Sequence, residues 1–200
     1  MKTMRMWACL AALLLVGALG QPQAAESEDV FAFIPSGGRT LLTQVVQSRP
    51  PAQEVRALLT GKHTREEWLG YLKARTGALP ALKALSDKEL LTLADYLSFN
   101  MPLPVGKVPA ELAKADWGKV LPQDGRDLAM NNCQFCHIIT VVVTQARTKT
   151  AWLGTMHKPS HIEIELSEPQ REALASYLVI NAGIPADLVP EELRAGGASY

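Results

Sequence analysis

The stretch LSDKELLTLADYLSFN (residues 85–100) is answered 81 positions later by LSEPQREALASYLVIN (residues 166–181). From Leu85 to Leu112, 12 of 28 positions are identical to their counterparts, among them Leu93/Leu174, Ala94/Ala175, Tyr96/Tyr177, Asn100/Asn181, Pro104/Pro185 and Pro109/Pro190. Upstream, Trp68-Leu69-Gly70 matches Trp152-Leu153-Gly154 at an offset of 84, and Gly38-Arg39 matches Gly125-Arg126 at 87. Offsets that drift by a few residues place the length differences in loops. The chain therefore reads as a duplication of one unit, each copy large enough to bury a core of its own.

Both copies read as helical. Ser86 and Glu89 form a capping box ahead of Leu90, Leu93, Ala94 and Leu97, apolar residues at helical spacing. Ser167 and Gln170 do the same in the second copy, with Pro169 in the first turn, where proline is tolerated. Thr64 and Glu67 open another helix through Trp68, Tyr71 and Leu72. Pro104 to Pro109 predicts a linker, followed by a short helix near Ala110 to Trp117. Ile138 to Val143 is the one strand-like run, too isolated for a sheet, and is expected to be an extended loop or an apolar segment against a cofactor. The expected fold class is all-α.

Residues 1–25 read as a secretory signal peptide: Lys2 and Arg5 precede an apolar run from Ala8 to Gly20 that is short for a bilayer span, with a retained anchor as the alternative. Cys9 precedes most of that run and is expected to leave with it. Cleavage leaves 18 basic and 20 acidic residues, with neither half polarised, so charge points to no nucleic-acid partner and membrane association is not expected after cleavage. The expected location is the periplasm. Only Cys133 and Cys136 remain in the mature chain, too few for a disulfide scaffold of this size.

Those cysteines belong to Cys133-Gln134-Phe135-Cys136-His137, the spacing of a c-type haem attachment site. Two thiols about one helical turn apart can each add to a vinyl group of one porphyrin, and the next residue, His137, directs an imidazole nitrogen at the iron. Other readings exist. Cys133, Cys136, His157 and His161 have the residue types of a zinc site, although the gap between the pairs is long. A dithiol redox motif would want a strand–helix context that this chain lacks. A plain cysteine pair beside an incidental histidine is the blandest reading.

The second half, roughly Pro122 to Pro190, resembles a class I c-type cytochrome: a helix from Gly125-Arg126 leads into the haem motif, a middle helix carries Trp152, and a last helix carries Ala175-Ser176-Tyr177-Leu178. The resemblance implies that the first and last helices pack against each other beside the haem. The first half resembles the same fold without the motif, since Val46, Arg49 and Pro50 align with Cys133, Cys136 and His137. This implies tandem cytochrome c-like helical domains, a haemless one at residues 26–105 and a monohaem one at residues 106–200. One haem c, attached through two thioethers, is expected, and the missing haem's volume in the first copy must be filled by side chains.

Carriers of this class usually place a methionine opposite the histidine, which raises the potential. Met156 is the expected sixth ligand, giving His137 and Met156 as metal ligands; His161 or His157 would instead give a low-potential bis-histidine site. Met130 reads as a core residue, Trp152 and Tyr177 as packing residues, and His63 as a surface residue. The expected function is electron transfer, not enzymatic catalysis, with a redox partner such as a periplasmic dehydrogenase or reductase. The first half would serve as a docking module, so that a chain lacking residues 26–104 should keep its haem spectrum and lose its partner. The alternative is a haem enzyme or ligand sensor with an open iron position.

Overall fold

The computed structural model describes residues 29–134 and 136–194. The signal segment and Phe135 lie outside the described residues. Those described are helical with no strand, and none of their helices is long and apolar enough to cross a membrane. The order is α1 (Gly38–Gln47), α2 (Ala52–Thr60), α3 (Arg65–Ala74), α4 (Asp87–Asn100), α5 (Trp117–Val120), α6 (Gly125–Leu128), α7 (Thr140–Val143), α8 (Lys149–Met156), α9 (Pro159–Ile162) and α10 (Glu168–Asn181).

The three capping boxes read from the sequence are formed. In α3, Glu67 N–H donates to Thr64 Oγ1 (3.3 Å) and Thr64 N–H to Glu67 Oε2 (2.8 Å). Ser86 with Glu89 and Ser167 with Gln170 cap α4 and α10 in the same way, each satisfying backbone donors that a helix start leaves without partners. A fourth box, Asp124 with Asp127, opens α6.

Two local expectations are corrected. Ile138–Val143 is not extended: Thr140–Val143 forms a helical turn. Ile139, Val142 and Val143 stand three and four residues apart, so a turn of helix buries all of them together, whereas a strand would send neighbours to opposite faces. The expected helix near Ala110–Trp117 is instead a tight turn at Leu112–Lys114 followed by α5.

The buried apolar residues form two clusters. The first gathers Leu41, Leu42, Val45, Leu58, Leu59, Trp68, Leu72, Leu93 and Leu97, and takes in Trp117 and Leu121 from beyond the Pro104–Pro109 segment. The second gathers Leu128, Ile139, Val143, Trp152, Met156, Leu174 and Leu178, and takes in Ile34 from the start of the chain. Each fully buried leucine contributes about 1.5–3 kcal/mol relative to exposure, so these borrowed residues matter to both cores.

α4 and α10 lie side by side between the clusters. Each is crossed by a helix that begins with glycine. A Cβ added to Gly38 would lie 2.1 Å from Tyr96 Cβ, and one added to Gly125 would lie 2.1 Å from Tyr177 Cβ. Each tyrosine then reaches the chain ahead of the other crossing: Tyr96 OH donates to Pro122 O (3.0 Å), and Tyr177 OH to Pro35 O (2.7 Å). Between the helices, Thr92 and Asn181 pair side chain to side chain, and Arg39 N–H donates to Asp124 Oδ2 (2.8 Å). Asp124 occupies the space a Gly37 side chain would need.

Candidate cofactor site

The Asp124–Asp127 box starts α6, and Gly125 seats it directly on Tyr177 of α10. The helix then widens into a π-helical turn over Ala129–Cys133, which delivers Cys133 at its end. His137 N–H donates to Cys133 O (3.1 Å), so the chain makes one more turn and presents Cys136 and His137 just past the first thiol. Placement of these groups is thus set by a cap, a close helix crossing and one turn of backbone hydrogen bonding.

Cys133, Cys136 and His137 line a cavity of about 220 Å³. Its other walls are mostly apolar: Val141 and Val142 from α7, Trp152 and Met156 from α8, Ile164 and Leu166 from the following loop, and Leu174 and Leu178 from α10. Arg147, Lys158 and His161 add polar groups to the lining. The four residues expected from the sequence to hold a cofactor, Cys133, Cys136, His137 and Met156, are therefore brought to one space. Cys133 is half-buried and Cys136 exposed, with no disulfide joining them, and burial pushes the Cys133 thiol up to about 11.

The set fits a flat apolar macrocycle tethered by two thioethers: two thiols and an imidazole open onto one apolar-walled space. Trp152 Nε1 is buried without a hydrogen-bond partner, so its N–H is left for a polar group of whatever fills the site. Trp68 Nε1 in the first half is equally unpartnered, so this feature supports the fit only beside the thiols.

The zinc set does not assemble. His157 meets the Glu168 carboxylate, its Nε2 3.1 Å from Oε2, and does not line the cavity. Among the described residues no three His, Cys, Asp or Glu side chains come within reach of one metal ion. Met130 packs at the edge of the second cluster, and His63 is exposed, edge-on to Trp68 at 4.7 Å.

The corresponding space in the first half is filled. At the matching offsets, Leu72 stands for Met156 and Leu58 for Gln145, and both leucines are buried in the first cluster.

One residue of the site escaped the sequence reading. Arg171 of α10 is 3% exposed and donates to Met156 O (2.7 Å), Ile164 O (3.0 Å) and Ile162 O (3.5 Å). It fastens the segment from Met156 to Ile164 onto α10. Its counterpart in the first copy is Leu90, and that replacement of an apolar helix residue by arginine was the available signal.

Comparison of the chain with protein-family models, with curated proteins and with solved structures gives no match.

Proposed function

We propose that the protein is an exported electron-transfer protein carrying one covalently attached c-type haem, built as two cytochrome c-like units of which only the second keeps the attachment residues. The observation that carries this reading is the convergence of Cys133, Cys136 and His137 on one apolar-walled cavity. When bound, the group supplies a one-electron couple at its iron. The thiols of Cys133 and Cys136 would tether it, His137 would ligate the iron, and the apolar walls of Val142, Trp152, Leu174 and Leu178 would exclude water. Met156 and His161 line the same cavity and supply the candidates for the opposite ligand. Ile138 and Ile162, 43% and 52% exposed, follow His137 and His161 in the chain and form an apolar rim for a redox partner such as a periplasmic dehydrogenase or reductase. The first half, with its counterpart space filled, acts as a docking module in that assembly.

The test is the full chain matured in a host competent for cytochrome c assembly. Its mass should rise by one haem that survives denaturation, and Cys133→Ala with Cys136→Ala should abolish that increment. The oxidised and reduced spectra should interconvert reversibly in a single one-electron step. Zinc in place of haem, or rapid and complete carbon monoxide binding by the reduced protein at neutral pH, would overturn the carrier reading.

A further inference from the structure

Met156 and His161 both reach the cavity, and the second half can be compared with a copy of itself that lacks the attachment residues. Met156 sits at the end of α8, four residues after Trp152; its counterpart, four residues after Trp68, is Leu72, fully buried in the first cluster. An apolar side chain at this place is thus something the fold uses in both copies. His161 has no such precedent: its counterpart at the same offset is Gly77.

Geometry separates them further. The His137 and His161 rings stand 6.0 Å apart, centre to centre, and within 23° of parallel. At this spacing the two imidazoles stand close enough for a nitrogen of each to reach one metal ion. Ser160 Oγ lies 3.0 Å from His161 Nδ1. A proton on Nδ1 donated to that oxygen leaves the lone pair on Nε2, the arrangement usual for a metal-bound histidine. The segment that bears His161 is held by the three carbonyl contacts of Arg171, on either side of His161 in the chain, and Arg171 too has no arginine counterpart in the first half.

We infer that His161, rather than Met156, is the protein ligand opposite His137, so that the site is bis-histidine and Met156 is a wall residue. The inference rests on the haem reading above. Two imidazoles favour the oxidised iron relative to an imidazole and a thioether, so the site would work at low potential.

The experiment uses the full matured chain. Near-infrared magnetic circular dichroism of the oxidised protein reports the ligand pair directly, and is expected to show the bis-imidazole signature. Met156→Leu, which takes the residue of the first copy, should leave that bis-imidazole signature in place. His161→Ala should lose the low-spin spectrum and let the reduced form bind carbon monoxide, with exogenous imidazole restoring the low-spin state. A methionine signature in the native protein, a low-spin spectrum that survives His161→Ala, or loss of that spectrum in Met156→Leu would each overturn the assignment while leaving a covalent haem in place. A protein without covalent haem would overturn the cofactor reading and this inference with it. The native spectrum decides between the two ligands even if a variant fails to fold.

Discussion

Ser176 Oγ donates to Asp95 Oδ1 at 2.6 Å, and the two residues stand 81 positions apart, the offset that relates the two copies of the helical repeat. Equivalent positions of α4 and α10 therefore meet each other, as they would across a local two-fold axis. Thr92 and Asn181 flank this contact, and the Tyr96 and Tyr177 hydroxyls extend it to Pro122 and Pro35. Together these polar contacts fix the register of the two helices against each other.

Asp95 is 5% exposed, and burial raises its carboxyl above the ordinary range, against the opposing pull of the Ser176 hydroxyl and of Arg65, 3.7 Å away. A folded-state pKa above the unfolded value of about 4 contributes stability in full below that value, and loses it as pH rises through the raised pKa. Asp95→Asn keeps an acceptor for Ser176 and removes the charge. The variant should gain stability over the native protein from about pH 4 upward. Thermal unfolding at pH 4 and pH 7 measures this; a variant weakened more at pH 7 than at pH 4 would show instead that pairing with Arg65 dominates.

The crossing glycines separate space from helix propensity. Gly125→Ala would place its Cβ 2.1 Å from Tyr177 Cβ and 2.6 Å from Cγ, atoms too close to the backbone to swing away. A loss of about 1–3 kcal/mol or more is expected, with Gly38→Ala behaving alike against Tyr96. Gly154 lies within α8 with nothing within 4 Å of its would-be Cβ, so Gly154→Ala should gain about 0.5–1 kcal/mol. Urea unfolding of the three variants checks the contrast in sign.

Arg49 ends α1 in a left-handed conformation, φ 57°, just after the Ser48 cap. Its N–H donates to Val46 O (3.3 Å), a helix-end position that glycine fills without a Cβ clash. Relief of about 1–2 kcal/mol of backbone strain outweighs the added entropy of an unfolded glycine. Arg49→Gly should therefore raise the unfolding midpoint, and Arg49→Val should lower it.

Arg171→Leu installs the residue of the first copy but leaves three carbonyls without their donor. A loss of about 2–4 kcal/mol is expected from the charged hydrogen bonds removed. Limited proteolysis should then cut between residues 157 and 166 faster than in the native chain. Arg171→Lys keeps the charge but not the planar fork, and should recover only part of the protection.

What could be read from the sequence was local. Capping boxes span four residues, and the Cys133–His137 spacing spans about one turn, so their geometry is written in neighbouring positions. The Asp124–Asp127 box passed unread because aspartate replaces the expected glutamate or glutamine. The extended form expected for Ile138–Val143 fails because a short, all-apolar run has no period to distinguish a strand from a helical turn, whereas its burial beside the cavity agrees with the other expectation. The contacts of Tyr177 with Pro35, 142 residues away, and of Ile34 with the second cluster leave no local trace. They alter one sequence-based expectation. A chain cut before residue 105 would lose Ile34 and the Pro35 acceptor from the second core, so point variants on the surface of the first half test docking better than that truncation does.

The segment from Phe31 to Pro35 also has a kinetic meaning. It precedes a helix that belongs to the first cluster, yet it packs with the second, while Trp117 and Leu121 make the reverse journey. Closing a loop of 142 residues is among the slowest and least local events available to this chain. Neither core can finish without residues carried by the other's stretch of sequence, so the halves should melt in one cooperative transition. The half without thiols is then not spare: deleting it would strip the cavity of the other half of part of its support.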